Sequence, residues 1–145
     1  MNAAAWLMFQ SSRYDHITLL LQCLYWLRAP KRISYKLAVL VYQCLHGLAP
    51  AYLADALQPV TGLPGRQCLR STSTSALAAP LTHLSTIGDR AFPVSAEKIW
   101  NNLPSEVTSS DCLWTFKTQL KTHLFSSSFP QMTVKWLQCH WYFSL

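Results

Sequence analysis

A chain of 145 residues with twelve Lys and Arg against six Asp and Glu has a formal charge of +6, and a pI near 9.2. That balance favours polyanionic partners, because each base set beside a phosphate releases condensed counterions. Half of the residues are hydrophobic and only 12% are charged, about half the usual share, so little is left to solvate a surface: either a protein covers exposed apolar surface, or a tightly folded domain sets its many Ser and Thr outside.

The length fits one domain that buries about two-thirds of its unfolded surface. Five cysteines, Cys23, Cys44, Cys68, Cys112 and Cys139, stand far apart with no Cys-x-x-Cys pair, which argues against a disulfide framework and fits a reducing compartment. Cys139-His140 has no second ligand pair, so no zinc site is expected. Met1 to Gln10 lacks a basic segment ahead of its apolar stretch, and no apolar run approaches the roughly 20 residues that cross a bilayer. The expectation is an intracellular protein, of cytoplasm or nucleus, with no membrane span.

Taken in chain order, the first ten residues carry no usable pattern. Thr18 caps a helix to about Leu27, with Leu20, Leu21, Leu24 and Leu27 on one face and Cys23 inside the core. A second helix starts near Pro30 and ends at Gly47, which suits the left-handed cap position. Ile33, Leu37, Leu40, Val41, Cys44, Leu45 and Leu48 form its apolar stripe, packed along the whole length. Arg28, Lys31, Arg32 and Lys36 project from the other side, either as a phosphate-tracking face or as the solvated face of any amphipathic helix.

Pro50 starts a short helix through Leu57, and a long loop follows from Pro59 through the Ser71 to Ser75 cluster, with Arg66 and Arg70 in it. Leu77 to Ala79 and Leu84 to Ile87 suggest a small β-hairpin. Gly88-Asp89 reads as a turn in which Gly supplies a positive φ, and a helix then carries Ala96, Ile99, Trp100 and Leu103 on one face until Pro104. Phe92 and Trp100 read as core aromatics or as a base-stacking platform beside Arg90 and Lys98, and Asn101 and Asn102 serve the helix end. Ser110 or Asp111 caps the last helix, whose stripe is Leu113, Phe116, Leu120 and Leu124, with Lys117 and Lys121 at its edge. The fold class is therefore mainly α, a small helical domain with a short β-hairpin and a long irregular loop.

Gly88-Asp89-Arg90-Ala91-Phe92, followed by Ile99-Trp100-Asn101-Asn102-Leu103-Pro104, resembles the stretch after the reverse transcriptase core in LINE-type (non-long-terminal-repeat) retrotransposon polyproteins. Two more segments resemble the same region in the same order. One runs from His16-Ile17-Thr18 through Trp26-Leu27 to Leu45-His46-Gly47-Leu48-Ala49-Pro50-Ala51-Tyr52-Leu53, and the other from Thr115-Phe116-Lys117 to Leu124-Phe125. The resemblance covers 13–125 and leaves 1–12 and 126–145 as unassigned tails, open to disorder. Leu19, Arg28 and Glu97 stand where the family usually has Pro.

The resemblance implies descent from a polymerase whose chemistry is not in this segment. The acids Asp15, Asp55, Asp89, Glu97, Glu106 and Asp111 are scattered with no two adjacent, whereas nucleotidyl transfer needs closely placed carboxylates to hold two metal ions. The Tyr-x-Asp-Asp motif, glycine-rich phosphate loops and the family's zinc knuckle are also missing, so no catalytic residue, metal or cofactor is assigned. The expected function is a non-catalytic remnant of a LINE-type reverse transcriptase open reading frame. The alternatives are a nucleic-acid-binding accessory module contacting RNA or DNA through Arg28, Lys31, Arg32, Lys36, Lys117 and Lys121, or a protein-interaction domain. Gly88, Asp89, Arg90, Phe92, Trp100, Asn101, Leu103 and Pro104 are read as structural.

Overall fold

The computed structural model describes residues 2–12, 14, 16–60, 76–78, 88 and 91–130. Among them are seven helices, α1 (Asn2–Phe9), α2 (Ile17–Cys23), α3 (Ala29–Leu45), α4 (Ala51–Ala54), α5 (Phe92–Asn101), α6 (Ser105–Thr108) and α7 (Leu113–Ser128). Two short strands, β1 (Gln58–Pro59) and β2 (Leu77–Ala78), pair antiparallel with Pro59 opposite Leu77. The protein is mainly α with a two-stranded sheet. The chain divides into a terminal unit, residues 1–33 with 120–145, and a central unit, residues 34–119.

In the terminal unit α1 packs on α2, and Ala5, Leu21, Leu27, Leu120, Leu124, Phe125 and Phe129 are buried. The α2 helix starts one residue before Thr18 and takes His16 as its cap position, with no side-chain hydrogen bond there. Thr18 instead lies inside the first turn, where its hydroxyl accepts from Arg28 Nη2 at 3.4 Å. The helix also ends four residues short of Leu27, because Tyr25 turns into the left-handed region at φ 53. Cys23 is exposed rather than in the core.

Three helices share one way of stopping. At the end of α1 the Ser11 N–H donates to the Trp6 carbonyl (3.0 Å) and the Gln10 N–H to Leu7 (3.3 Å), with Gln10 at φ 51. After α2 the Trp26 N–H donates to Leu21 (2.8 Å) and Tyr25 to Gln22 (3.0 Å). After α3 the Leu48 N–H donates to Gln43 (2.8 Å) and Gly47 to Cys44 (3.4 Å), with Gly47 at φ 68. Each is a Schellman cap, in which a left-handed residue lets two N–H groups reach back to otherwise unpaired carbonyls. Only Gly47 adopts that conformation without a Cβ penalty of about 1–2 kcal/mol. Tyr25 is held there by its ring, which lies 4.2 Å from Phe125, has Lys121 Nζ 4.6 Å above its centre, and donates from its hydroxyl to Thr122 Oγ1 at 3.4 Å.

The central unit is built around α3, α5 and α7. On α3 the buried positions are Ala38, Val41, Tyr42 and Cys44, whereas Ile33, Leu45 and Leu48 of the expected stripe are exposed. The helix therefore turns a narrower face inward than its apolar residues alone suggest, because Tyr42, a residue with a polar tip, takes the central place. Its ring stacks on Phe116 at 4.4 Å and on His46 at 4.0 Å, and its hydroxyl donates to the Ser110 carbonyl at 3.0 Å. Phe116 is in turn 5.9 Å from Trp100, which is only 2% exposed. Burial pushes the Tyr42 phenol above its ordinary pKa, helped by the charges of Cys112 and Asp111, and it pushes the Cys44 thiol up as well.

Several local expectations shift. Pro50 is the cap of α4 rather than its first residue, and α4 ends at Ala54. Pro59 belongs to a strand, not to a loop. Within the described residues β2 pairs with Gln58–Pro59; Leu84 to Ile87, Arg66, Arg70, Cys68 and Cys139 lie outside them. Gly88 is helical rather than at the positive φ expected of a turn, and its carbonyl accepts the Ala91 N–H at 3.0 Å. Cys112, not Ser110 or Asp111, occupies the cap of α7: its carbonyl accepts the Phe116 N–H and its sulfur the Thr115 N–H at 3.4 Å. Ser110 is instead buried, donating to the Val107 carbonyl at 2.8 Å.

A Cβ placed on Gly47 would meet nothing within 4 Å, so replacing it costs conformational energy alone. Gly47→Ala is expected to lower stability by about 1 kcal/mol in urea unfolding, and an unchanged midpoint would contradict the cap assignment.

Candidate functional site

Two sets of residues compete for a functional role, the bases of α3 and α7 and the Gly88 to Pro104 block. Three bases of the terminal unit, Arg28, Lys31 and Lys121, are engaged within the unit itself. Arg28 is exposed, its guanidinium carbon 5.0 Å above the Phe129 ring and its Nη2 bonded to Thr18. The Arg28 carbonyl also accepts the Arg32 N–H at 3.0 Å, so Arg28 stands at the cap of α3 and not within its first turn. Lys31 is half-buried and donates from Nζ to Ser127 Oγ at 2.9 Å.

Lys121 lies over Tyr25, and the rings continue from Tyr25 to Phe125 to Phe129, the last two 4.8 Å apart. A run of three aromatics is thus covered by a cation at each end. Each such contact is worth about 0.5–1 kcal/mol at an exposed site, enough to hold the side chain against the protein. Arg32 is half-buried in the same unit. Of the expected bases in the central unit, Lys36 is exposed on α3 and Lys117 half-buried on α7.

In the block from Gly88 to Pro104, Asp89 and Arg90 lie outside the described residues. Phe92 opens α5 half-buried, and Trp100 is in the core against Phe116, which leaves no free face for a base. Leu103 and Pro104 are half-buried, and Pro104 caps α6 in extended conformation.

Asn101 behaves differently from the helix-end role expected of it. Its Oδ1 accepts the Leu77 N–H at 3.0 Å and its Nδ2 donates to the Leu77 carbonyl at 2.9 Å, while the second Nδ2 hydrogen goes to Glu97 Oε1 at 2.8 Å. The carboxamide reads both backbone groups of one residue, as a neighbouring strand would. It follows that Leu77 turns its N–H and C=O away from β1, so the Pro59–Leu77 pair needs no hydrogen bond and a residue without an N–H is tolerated there. Asn102 does serve the helix end, donating from Nδ2 to the Lys98 carbonyl.

The sequence reading missed two surface features. Trp114 is 76% exposed in the first turn of α7, and its place off the Leu113–Phe116–Leu120 stripe was the available signal. Cys112 carries an exposed thiol whose pKa is lowered, first by the hydrogen bond with the Thr115 hydroxyl (3.0 Å) and then by the Thr115 backbone N–H. No group of three or more His, Cys, Asp or Glu that could hold a metal ion occurs among the described residues, and no helix among them is long and apolar enough to cross a membrane. No protein-family model, no curated protein and no solved structure matches the chain.

The Asn101 carboxamide closes the outer edge of β2. Asn101→Ala leaves two Leu77 backbone groups without their partner and is expected to cost about 2 kcal/mol in urea unfolding. Asn101→Asp should cost more, because an oxygen then faces the Leu77 carbonyl. A loss near zero for both variants would remove the edge role.

Proposed function

We propose that the chain is a non-catalytic remnant of a LINE-type retrotransposon reverse transcriptase open reading frame, a scaffold segment with no chemistry of its own. The resemblance supplies the ancestry. The observation that supports the scaffold reading is the use made of Trp100 and Asn101. Both lie in the block that carries the resemblance most densely, and both are spent on the fold, one in the aromatic core and one on the backbone of Leu77. A residue that donates its polar groups to the main chain has none left for a substrate.

The nucleic-acid module is less well supported, since Arg28, Lys31 and Lys121 are tied to neighbouring side chains. Releasing each cation from its aromatic or hydroxyl partner costs part of what a phosphate contact returns. Their charge still draws polyanions at low salt, as any basic surface does.

The test combines primer extension with filter binding of RNA and DNA by the full chain across a salt series. The expected result is no extension and, at physiological salt, no binding tighter than the non-specific range of about 10⁻⁴–10⁻⁶ M. Template-dependent extension contradicts the proposal. So does tighter binding whose steep salt slope is lost on Lys31, Arg32 and Lys36→Ala.

A further inference from the structure

The two units divide the net charge unevenly. Residues 1–33 and 120–145 hold six Lys and Arg against Asp15 alone, a balance of +5, whereas residues 34–119 hold six against five acids, a balance of +1. A charge asymmetry of this kind marks the unit that meets a polyanionic surface.

The same unit exposes large apolar side chains. Leu7 is 79% and Met8 63% exposed in the last turn of α1, with Phe9 beside them, and Leu19 of α2 is 64% exposed. Since α1 packs on α2, these residues belong to one pair of helices. Arg28 is anchored to the hydroxyl of Thr18, the residue before Leu19, so one guanidinium is held on α2.

Protruding apolar side chains on a basic unit match an anionic bilayer, where Leu, Met and Phe enter the acyl boundary and the net positive charge of the unit is drawn to the surface potential without any base leaving its side-chain partner. Aliphatic side chains have no π-face on which a base could stack, so a nucleic acid would leave Leu7, Met8 and Leu19 unused. An acidic protein surface would satisfy the charge equally, but only a lipid surface rewards single apolar side chains without a shaped complementary pocket.

We propose that the terminal unit docks peripherally on an anionic lipid surface through the last turn of α1 and Leu19 of α2. The contact is interfacial, with no segment crossing the bilayer. It is independent of the ancestry proposed above.

Flotation of the full chain with large unilamellar vesicles tests it. The chain should float with phosphatidylcholine vesicles containing about one-third phosphatidylserine and stay behind with phosphatidylcholine alone, and about 0.5 M salt should weaken partition about tenfold. The double variant Leu7→Ser with Met8→Ser, checked for unchanged circular dichroism, should lose about tenfold or more, because exposed positions carry the contact. No flotation of the unsubstituted chain with the anionic vesicles overturns the proposal without any variant. Flotation that survives the double substitution, matched by equally salt-sensitive binding to single-stranded RNA, overturns it in favour of an unspecific polyanion-binding surface.

Discussion

Burying the Tyr42 hydroxyl is the constraint on which the central unit depends. An unpaired hydroxyl in an apolar core costs about 1–3 kcal/mol, and here the Ser110 carbonyl, 3.0 Å away, removes that cost. The bond fixes the turn between α6 and α7 against α3, and Ser110 is itself held by its hydroxyl on Val107 and its contact with Gln119 at 2.7 Å. With the phenol pinned, its ring defines where Phe116 lies, and Phe116 defines where Trp100 lies. One residue after Trp100, Asn101 secures β2. A polar anchor at one end and a carboxamide at the other therefore bracket a column of aromatic rings.

This arrangement explains how so small a sheet persists. Two strands of two residues offer too few ladder bonds to stand alone. The missing partner is a side chain on α5, so the sheet is a product of helix packing rather than a nucleus for it. Glu97 takes the remaining Asn101 hydrogen and steadies the amide. Proline at that position would accept nothing, and the amide would rely on Leu77 alone.

The helices were legible because their apolar periods are strong: α3, α5 and α7 stand where the spacing of Val41, Trp100 and Phe116 puts them, and Gly47 announces its left-handed cap. What the sequence concealed has three physical sources. A stripe of apolar residues wider than the available contact does not reveal which edge stays wet, so spacing alone puts Ile33, Leu45 and Leu48 inward. Tyr42 escapes the apolar period because a phenol carries a polar tip, and its burial depends on a carbonyl 68 positions away. Tyr25 and Gln10 in Schellman caps carry no glycine to flag them. The same long-range logic hid the role of Asn101, since nothing local distinguishes an asparagine that ends a helix from one that closes a strand edge, and Asn102 beside it does the former. The bases of α3 are expected on the side away from its apolar stripe, whereas Phe129 and Ser127, the partners of Arg28 and Lys31, lie about a hundred positions away in sequence and only the fold brings them together.

The central claim is that Asn101 serves the backbone of Leu77 and thereby secures β2. Native-state amide hydrogen exchange at Leu77 tests this most directly, because among the described residues the partner of its N–H is the Asn101 carboxamide. Strong protection in the unsubstituted chain, lost in Asn101→Ala while the amides of α3 remain protected, is the predicted result. Exchange at Leu77 as fast as in an open loop, or protection indifferent to the Asn101 side chain, would contradict it.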